Sequence, residues 1–397
     1  MISNTGTWMQ RVAQDWLVLE LTHGSGSALG ITSGLQFLPL LLFGLWGGII
    51  ADRYPKRRVL MVTQAAMGAL ALILGVLALT HTVAIWQVYA LAFGLGLATV
   101  VDNPTRQAFA TEMVGRGGLA NAIAFNSAVF NLARIAGPAV AGLVISILGT
   151  PAAFLVNAAS YGAVLISLQL MRPSELHVVA RVPRAKGQLR EALRYVKDRP
   201  ALWMTLVLVF FVATFGMNFQ VTNALMSREV FGTGAASFGI ASTMFAVGAL
   251  GGALIAARRS RPTMALLFVT AFAFSVLEVM TGLMPYFWSF LVMLVPTGLA
   301  LLTFTTAANS AVQLGTTADM RGRVMGLYLL VFLGGAPLGS PLVGWAAEVF
   351  GPRMSLIAGG VISAVATAVI AVMLARSRSV RVREYLRPGR LAERLAS

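Results

Sequence analysis

The chain predicts an all-α integral membrane protein with twelve transmembrane helices in two six-helix bundles. Three observations carry that prediction. Apolar stretches of about 20 residues, the length that crosses hydrocarbon, recur from end to end. The composition is 57% hydrophobic and 11% charged, with mean hydropathy +0.79, whereas soluble domains carry about 25% charged residues. Of 30 Lys and Arg, 25 fall in every second connection or in the C-terminal tail, the asymmetry that marks cytoplasmic loops.

In chain order the spans are expected at 1–21, 28–51, 59–79, 83–105, 119–147, 152–171, 201–226, 236–257, 264–284, 286–313, 322–346 and 353–375. We refer to them as helices 1 to 12. An even count puts both termini on one side, and the basic loops make that side the cytoplasm. Residues 172–200 form the longest polar interval, basic and rich in helix formers from Gln188 to Lys197. They predict a cytoplasmic linker with one amphipathic surface helix, dividing an N-terminal bundle (1–171) from a C-terminal bundle (201–375). Residues 376–397 form a basic cytoplasmic tail. Helix 1 is not a cleavable signal, because it lacks a basic n-region and a small-residue cleavage site. Asn4, Gln10, Arg11, Gln14 and Asp15 interrupt it. Either the numbered chain begins late or helix 1 is short and held by its neighbours.

The remaining composition excludes function classes. Without cysteine there is no disulfide framework, thiolate metal site or cysteine nucleophile. Three histidines argue against a His-based metal site. The net charge of +16 invites a nucleic-acid reading, but its confinement to alternate loops is topological. No nucleic-acid partner is expected.

The halves look like repeats. Gly137, Gly142 and Gly149 recur as Gly339, Gly344 and Gly351, each 202 positions later, and Gly47-Gly48 recurs as Gly251-Gly252 before a second basic loop. Parallel repeats of this kind are one route to alternating access around a midplane site.

Polar residues concentrate on the first helix of each three-helix group. Helix 1 sets Asn4, Trp8, Arg11 and Asp15 on one face; helix 4 carries Thr99, Asp102, Asn103 and Arg106. Helix 7 has Thr214, Asn218 and Thr222, and helix 10 has Thr306, Asn309 and Gln313. Intramembrane polar groups face a bundle interior or an aqueous path, so helices 1, 4, 7 and 10 are expected to line one central cavity. Each Thr or Asn could equally bond a neighbouring helix. Arg11 with Asp15, and Asp102 with Arg106, have the spacing of pairs. A carboxylate whose surroundings alternate is the simplest proton-coupling device; Asp15 is the first choice and Asp102 with Arg106 the second. Asn131 and Arg134 precede Gly137-Pro138 by one to two turns in helix 5. Glu278 lies in helix 9, which otherwise reads as lipid-facing, and either snorkels or contacts another helix. Trp8, Phe37, Phe130 and Phe215 are the aromatic candidates for the cavity wall.

These residues resemble the major facilitator superfamily over the whole chain. Gly48-x-x-x-Asp52-Arg53-x-x-Lys56-Arg57-Arg58 is similar to the superfamily's loop 2–3 signature (motif A), with Pro55 where glycine is usual. Gly6-x-Trp8-Met9-Gln10, Asp102-Asn103-Pro104-x-Arg106-Gln107-Ala108, Arg134-x-x-Gly137-Pro138-x-x-x-Gly142 and Arg321-Gly322-Arg323-Val324-Met325 resemble a bacterial exporter branch that includes the enterobactin exporter and macrolide efflux proteins. The resemblance implies two rigid bundles rocking about a central site, with Asp52 and its arginines latching helix 2 near helix 11 on the cytoplasmic side in the outward-facing state. Gly137, Pro138 and Gly142 resemble the antiporter signature (motif C). In that branch helix 1 begins before the Gly-x-Trp element, which implies a late start here.

The expectation is a proton-coupled exporter of amphipathic or hydrophobic small molecules in the bacterial cytoplasmic membrane. It would act as a monomer, with no cofactor but the proton gradient. A proton symporter importing a small solute is the rival, and would want a more polar cavity. A membrane enzyme would need a nucleophile or acid/base group at an interface, and no such arrangement is visible.

Overall fold

The computed structural model describes the backbone of residues 2–172, 188–257 and 263–385. Arg258, Arg259 and Arg261, the linker from 173 to 187, the tail beyond 385 and the side chain of Arg116 lie outside the described residues. Within them regular structure is helical: α1 (Ile2–Leu21), α2 (Gly26–Arg53), α3 (Lys56–Leu79), α4 (Ile85–Leu148), α5 (Thr150–Leu170), α6 (Gln188–Lys197), α7 (Pro200–Phe211), α8 (Phe219–Leu225), α9 (Ala235–Ala257), α10 (Met264–Leu283), α11 (Phe287–Leu314), α12 (Arg321–Phe350) and α13 (Pro352–Tyr385). Two π-helical turns, π1 (Val212–Gly216) and π2 (Met226–Val230), flank α8.

Eleven spans among the described residues are long and apolar enough to cross a membrane. The twenty-residue α1 is not one of them, because its polar residues lower its hydropathy. Its neighbours solve that problem. Gln10, Gln14 and Asp15 are buried; Gln14 Nε2 donates to Gln36 Oε1 of α2 (3.3 Å), and Asn157 of α5 bonds Gln10. A helix with such a polar stripe survives in a bilayer only where other helices enclose it.

Two expected boundaries change. Helices 4 and 5 are joined by unbroken helical backbone in α4, where a loop around Arg116 was expected. Straight, 64 residues would run about 96 Å, yet the packing shows that the run doubles back. Arg106 reaches Asn4 at the start of α1; the second limb (Phe125–Leu148) then runs beside α1, with Gly137 against Trp8 and Thr150, just past its end, bonded to Glu20. Residues 107–124 carry no proline and few strong helix breakers besides Gly115, Gly117 and Gly118, so helical hydrogen bonding continues through the reversal. Helix 7 is interrupted instead: α7 and π1 end at Met217 and Asn218, and α8 follows.

The helices pack as two groups. α1 to α5 contact one another, as do α7 to α13, and the groups meet chiefly where α2 packs on α12 and α4 on α9. The connections after α4 and α12 are alike: Gly149 and Gly351 take φ of +81° and +88°, a conformation that favours glycine, and a proline follows at or one residue after the next helix start. On α2, Gly26, Gly30 and Gly34 let the backbone lie directly on Gly344, Ser340 and Pro341 of α12. Gly142 of α4 lies on Ala235 and Ala236 of α9 in the same way. Small residues permit such close approach in a membrane. At that end Glu348 of α12 accepts hydrogen bonds from Ser25 Oγ (2.9 Å) and Ser27 N (2.8 Å) at the start of α2, where the helix dipole favours an anion.

The opposite end, which carries the 53–58 loop, is looser between the groups. A Cβ at Gly322 or Gly326 of α12 would meet nothing within 4 Å. The loop's basic residues turn back to their own group: Lys56 pairs with Glu112 of α4 (2.7 Å), and Arg57 donates to the Leu168 and Gln169 carbonyls that end α5 (2.6 and 3.0 Å). Asp52, Arg53 and Arg58 are exposed. The molecule is therefore closed at the end away from the basic loops.

Candidate functional site

Between the groups lies a cavity of about 440 Å³, within the size range of small-molecule sites. Its first wall comes from α1, α2 and the second limb of α4 and includes Trp8, Arg11, Phe37, Phe130, Arg134 and Pro138. Its second wall comes from helix 7, α9, α11 and α12, with Phe219, Phe245 and Phe332 as the aromatic part and Asn218, Gln220, Asn223 and Ser340 among the polar part. Trp8 and Phe130 meet edge to face at 5.9 Å. Arg11 lies over Trp8 (4.8 Å) and Phe37 (5.5 Å), a cation–π arrangement that fixes the guanidinium.

Asp15 sits one turn beyond Arg11 and is 1% exposed. The spacing suggested a pair with Arg11; no ion pair within 4 Å forms between them, because the guanidinium is drawn onto the two rings. Asp15 Oδ2 instead accepts from Gln220 Nε2 of α8 (2.6 Å), and Oδ1 has no hydrogen-bond partner. This bond joins the two groups through a carboxylate. Sequence reasoning missed Gln220. It follows a stripe of Thr214, Asn218 and Thr222 that assumes regular α-helix, whereas π1 and the break at Met217 rotate the residues that follow. The π turn is the missing signal, and such turns cluster at functional positions.

The other stripe residues are dispersed. Asn218 lines the cavity; its Nδ2 donates to Thr214 O (2.8 Å) and its Oδ1 accepts from Ser340 Oγ (2.9 Å). Asp102 lies among α1, α3 and α4, outside the lining. It accepts from Thr63 Oγ1 (2.8 Å), Gln64 Nε2 (2.7 Å) and Arg106 (Nε 3.1 Å, Nη2 2.6 Å), and Arg106 also donates to Asn4 Oδ1 (3.1 Å). Asn131 Nδ2 bonds the Ser127 carbonyl of its own helix. Gln313 bonds Asn309 one turn away on α11. Neither pair lines the cavity. Phe215 stacks on Phe211 (6.2 Å) and gives its expected place to Phe219, one turn on.

Glu278 does not snorkel. It is 2% exposed, enclosed between Gly216 of π1 and Gly359 of α13, at each of which a Cβ would stand 3.0 Å from its carboxylate oxygens. Gly137 receives Trp8, and Pro138 borders both the cavity and Gly239 of α9. Gly48 lies in the last two turns of α2, ahead of Asp52. No group of His, Cys, Asp and Glu able to hold a metal occurs among the described residues.

Comparison with known proteins places this geometry. The transmembrane secretion effector family matches residues 1–390. The multidrug efflux pump Tap of Mycolicibacterium fortuitum is 27% identical over 391 residues, covering 96% of this chain and 95% of that one. The staphyloferrin A transporter of Staphylococcus aureus is 30% identical over 253 residues, 62% of each chain. Macrolide efflux protein A of Streptococcus pyogenes is 22% identical over 324 residues, 80% of each. Among solved structures, a bacterial homologue of the human lysosomal transporter Spinster, inward-facing and unoccupied, superposes with a TM-score of 0.76 at 17% identity, covering 93% of this chain and 94% of that one. A D-xylose–proton symporter gives 0.69 at 12% identity, over 93% and 95%. The chain belongs to the transmembrane secretion effector family of the major facilitator superfamily, multi-pass membrane transporters rather than enzymes.

Proposed function

We propose that this protein is a proton-coupled exporter that moves amphipathic or hydrophobic small molecules out of the cell by antiport, through alternating access in the bacterial cytoplasmic membrane. The observation that carries the reading is the Asp15–Gln220 bond beside the cavity, a carboxylate of one helix group held by an amide of the other. When ionised, Asp15 accepts a charge-assisted hydrogen bond, roughly twice as strong as a neutral one. Protonation weakens that tie. A difference of about 1.4 kcal/mol moves a two-state equilibrium about tenfold, so proton occupancy biases which end of the molecule is open.

The aromatic and aliphatic lining supports an apolar cargo, and the relatives' names, multidrug and macrolide efflux among them, support export. With the basic loops in the cytoplasm, the end closed by α2 and α12 faces outward and both termini face inward. The small-molecule cargo and protons are then the working partners, and the chain acts as a monomer. Asp52 serves the opposite arrangement: when the inner end closes, it latches α2 onto the N-terminus of α12, where the dipole favours a negative charge. The test is Asp15→Asn in everted membrane vesicles. Loss of proton-driven uptake with normal protein levels supports the reading; unchanged transport removes Asp15 from the mechanism.

A further inference from the structure

Among the described residues, three partly buried arginines find their acceptors within the protein and two others do not. Arg106 is neutralised by Asp102 and donates to Asn4. Arg57 caps the carbonyls of α5. Arg353 caps the end of α10 through the Gly282 and Met284 carbonyls. Arg11 and Arg134, in contrast, leave buried guanidinium nitrogens unpartnered: Nε of Arg11, and Nε and Nη2 of Arg134. Both line the cavity, and no acidic residue is part of its lining among the described residues. Asp15, one turn beyond Arg11, is engaged by Gln220.

Both arginines belong to the first wall of the cavity. α1 and the second limb of α4 run side by side in the same direction, joined where Trp8 meets Phe130. Gly137 lies against Trp8, so Arg134, one turn before Gly137, and Arg11, one turn beyond Trp8, flank the Trp8 ring on the same wall of the cavity. The rings of Trp8 and Phe37 hold Arg11 by its face, which leaves the donor-bearing edge for something else. A buried charged donor without an acceptor is costly, and the arrangement gains its acceptor only from a molecule in the cavity. Facing the arginines are Phe219, Phe245 and Phe332.

We propose that Arg11 and Arg134 form an anion subsite and that the cargo is an amphipathic organic anion, its carboxylate or comparable oxyanion on the two guanidiniums and its apolar body against the phenylalanine wall. Planar guanidinium forks match such oxyanions in pairs of hydrogen bonds. The proposal rests on the exporter reading for the direction of movement, which a negative-inside membrane potential would assist for an anion.

Pyrenebutyrate, an aromatic carboxylate, and its cationic counterpart pyrenebutylamine serve as fluorescent probes. Their binding to the purified full chain in lipid nanodiscs is read against empty nanodiscs. The expected result is preference for pyrenebutyrate, a loss of about tenfold or more in its affinity in Arg134→Gln and in Arg11→Gln, partial retention in Arg134→Lys, and pyrenebutylamine binding unaffected. Equal or tighter binding of the cation, no binding of pyrenebutyrate, or the same affinity in both glutamine variants overturns the subsite. Uptake by everted vesicles separates this from the exporter reading. Arg134-dependent binding without proton-driven uptake keeps the subsite and sinks the exporter; proton-driven uptake of pyrenebutylamine alone does the reverse.

Discussion

Asp15 and Asp102 begin from the same local design and end in opposite situations. Each is a buried aspartate on the first helix of a three-helix group, with an arginine four positions away. Asp102 pairs with its arginine and collects hydroxyl and amide donors from α3, all within one helix group. Asp15 does not pair with its arginine, takes one donor from the other group and leaves one oxygen bare. What differs is the competition. The guanidinium of Arg11 has two aromatic faces beside it, whereas Arg106 has Asn4 and the carboxylate. A satisfied carboxylate is a fastening; an under-satisfied one that ties two moving bodies is suited to be a switch. The i, i+4 spacing was common to both and did not distinguish them.

Breaking each carboxylate in turn should separate these roles. Asp15→Asn should remove proton-driven transport to background in everted vesicles while the melting temperature of the purified protein stays near that of the parent. Asp102→Ala leaves the buried Thr63 and Gln64 side chains without their acceptor and removes the partner of the partly exposed Arg106, a loss of about 1–3 kcal/mol. It should appear as a lower melting temperature and poor yield; an unchanged melting curve would refute the fastening role. Gln220→Leu should cost about 1.5–3 kcal/mol of the tie to Asp15, lowering the number of protons exchanged per cargo molecule without unfolding the protein. The smallest effect belongs to Glu348→Gln. It weakens an exposed anion at the start of α2 by about 0.3–1 kcal/mol, read as slightly greater labelling of a cysteine introduced at Ser27, whose bond to Glu348 runs through the backbone N–H.

Much of this architecture was legible. Helix spans follow from the length of apolar runs, and Gly149 and Gly351 announced matching turns through their shared spacing. The polar face of α1 signalled that other helices must enclose it. Trp8, Arg11, Phe37, Phe130 and Arg134 were named as polar or aromatic members of helices 1, 2 and 5 and do meet in one cavity. What stayed hidden depends on phase and on partners. The π turn in helix 7 rotates Gln220 toward Asp15, and no composition signal marks a π turn. The apolar helix 9 left Glu278 open between snorkelling and a contact with another helix; its burial depends on two glycines, Gly216 and Gly359, that are distant in sequence. The reversal between helices 4 and 5 was expected, but not that helical hydrogen bonding would continue through it in α4.

The most direct test of the central claim, that Asp15 takes up and releases the coupled proton, is infrared difference spectroscopy of the purified protein as the pH is lowered. The account predicts a carboxylic acid band that appears in the parent and in Asp102→Asn and is missing in Asp15→Asn. A band that persists unchanged in Asp15→Asn would contradict it.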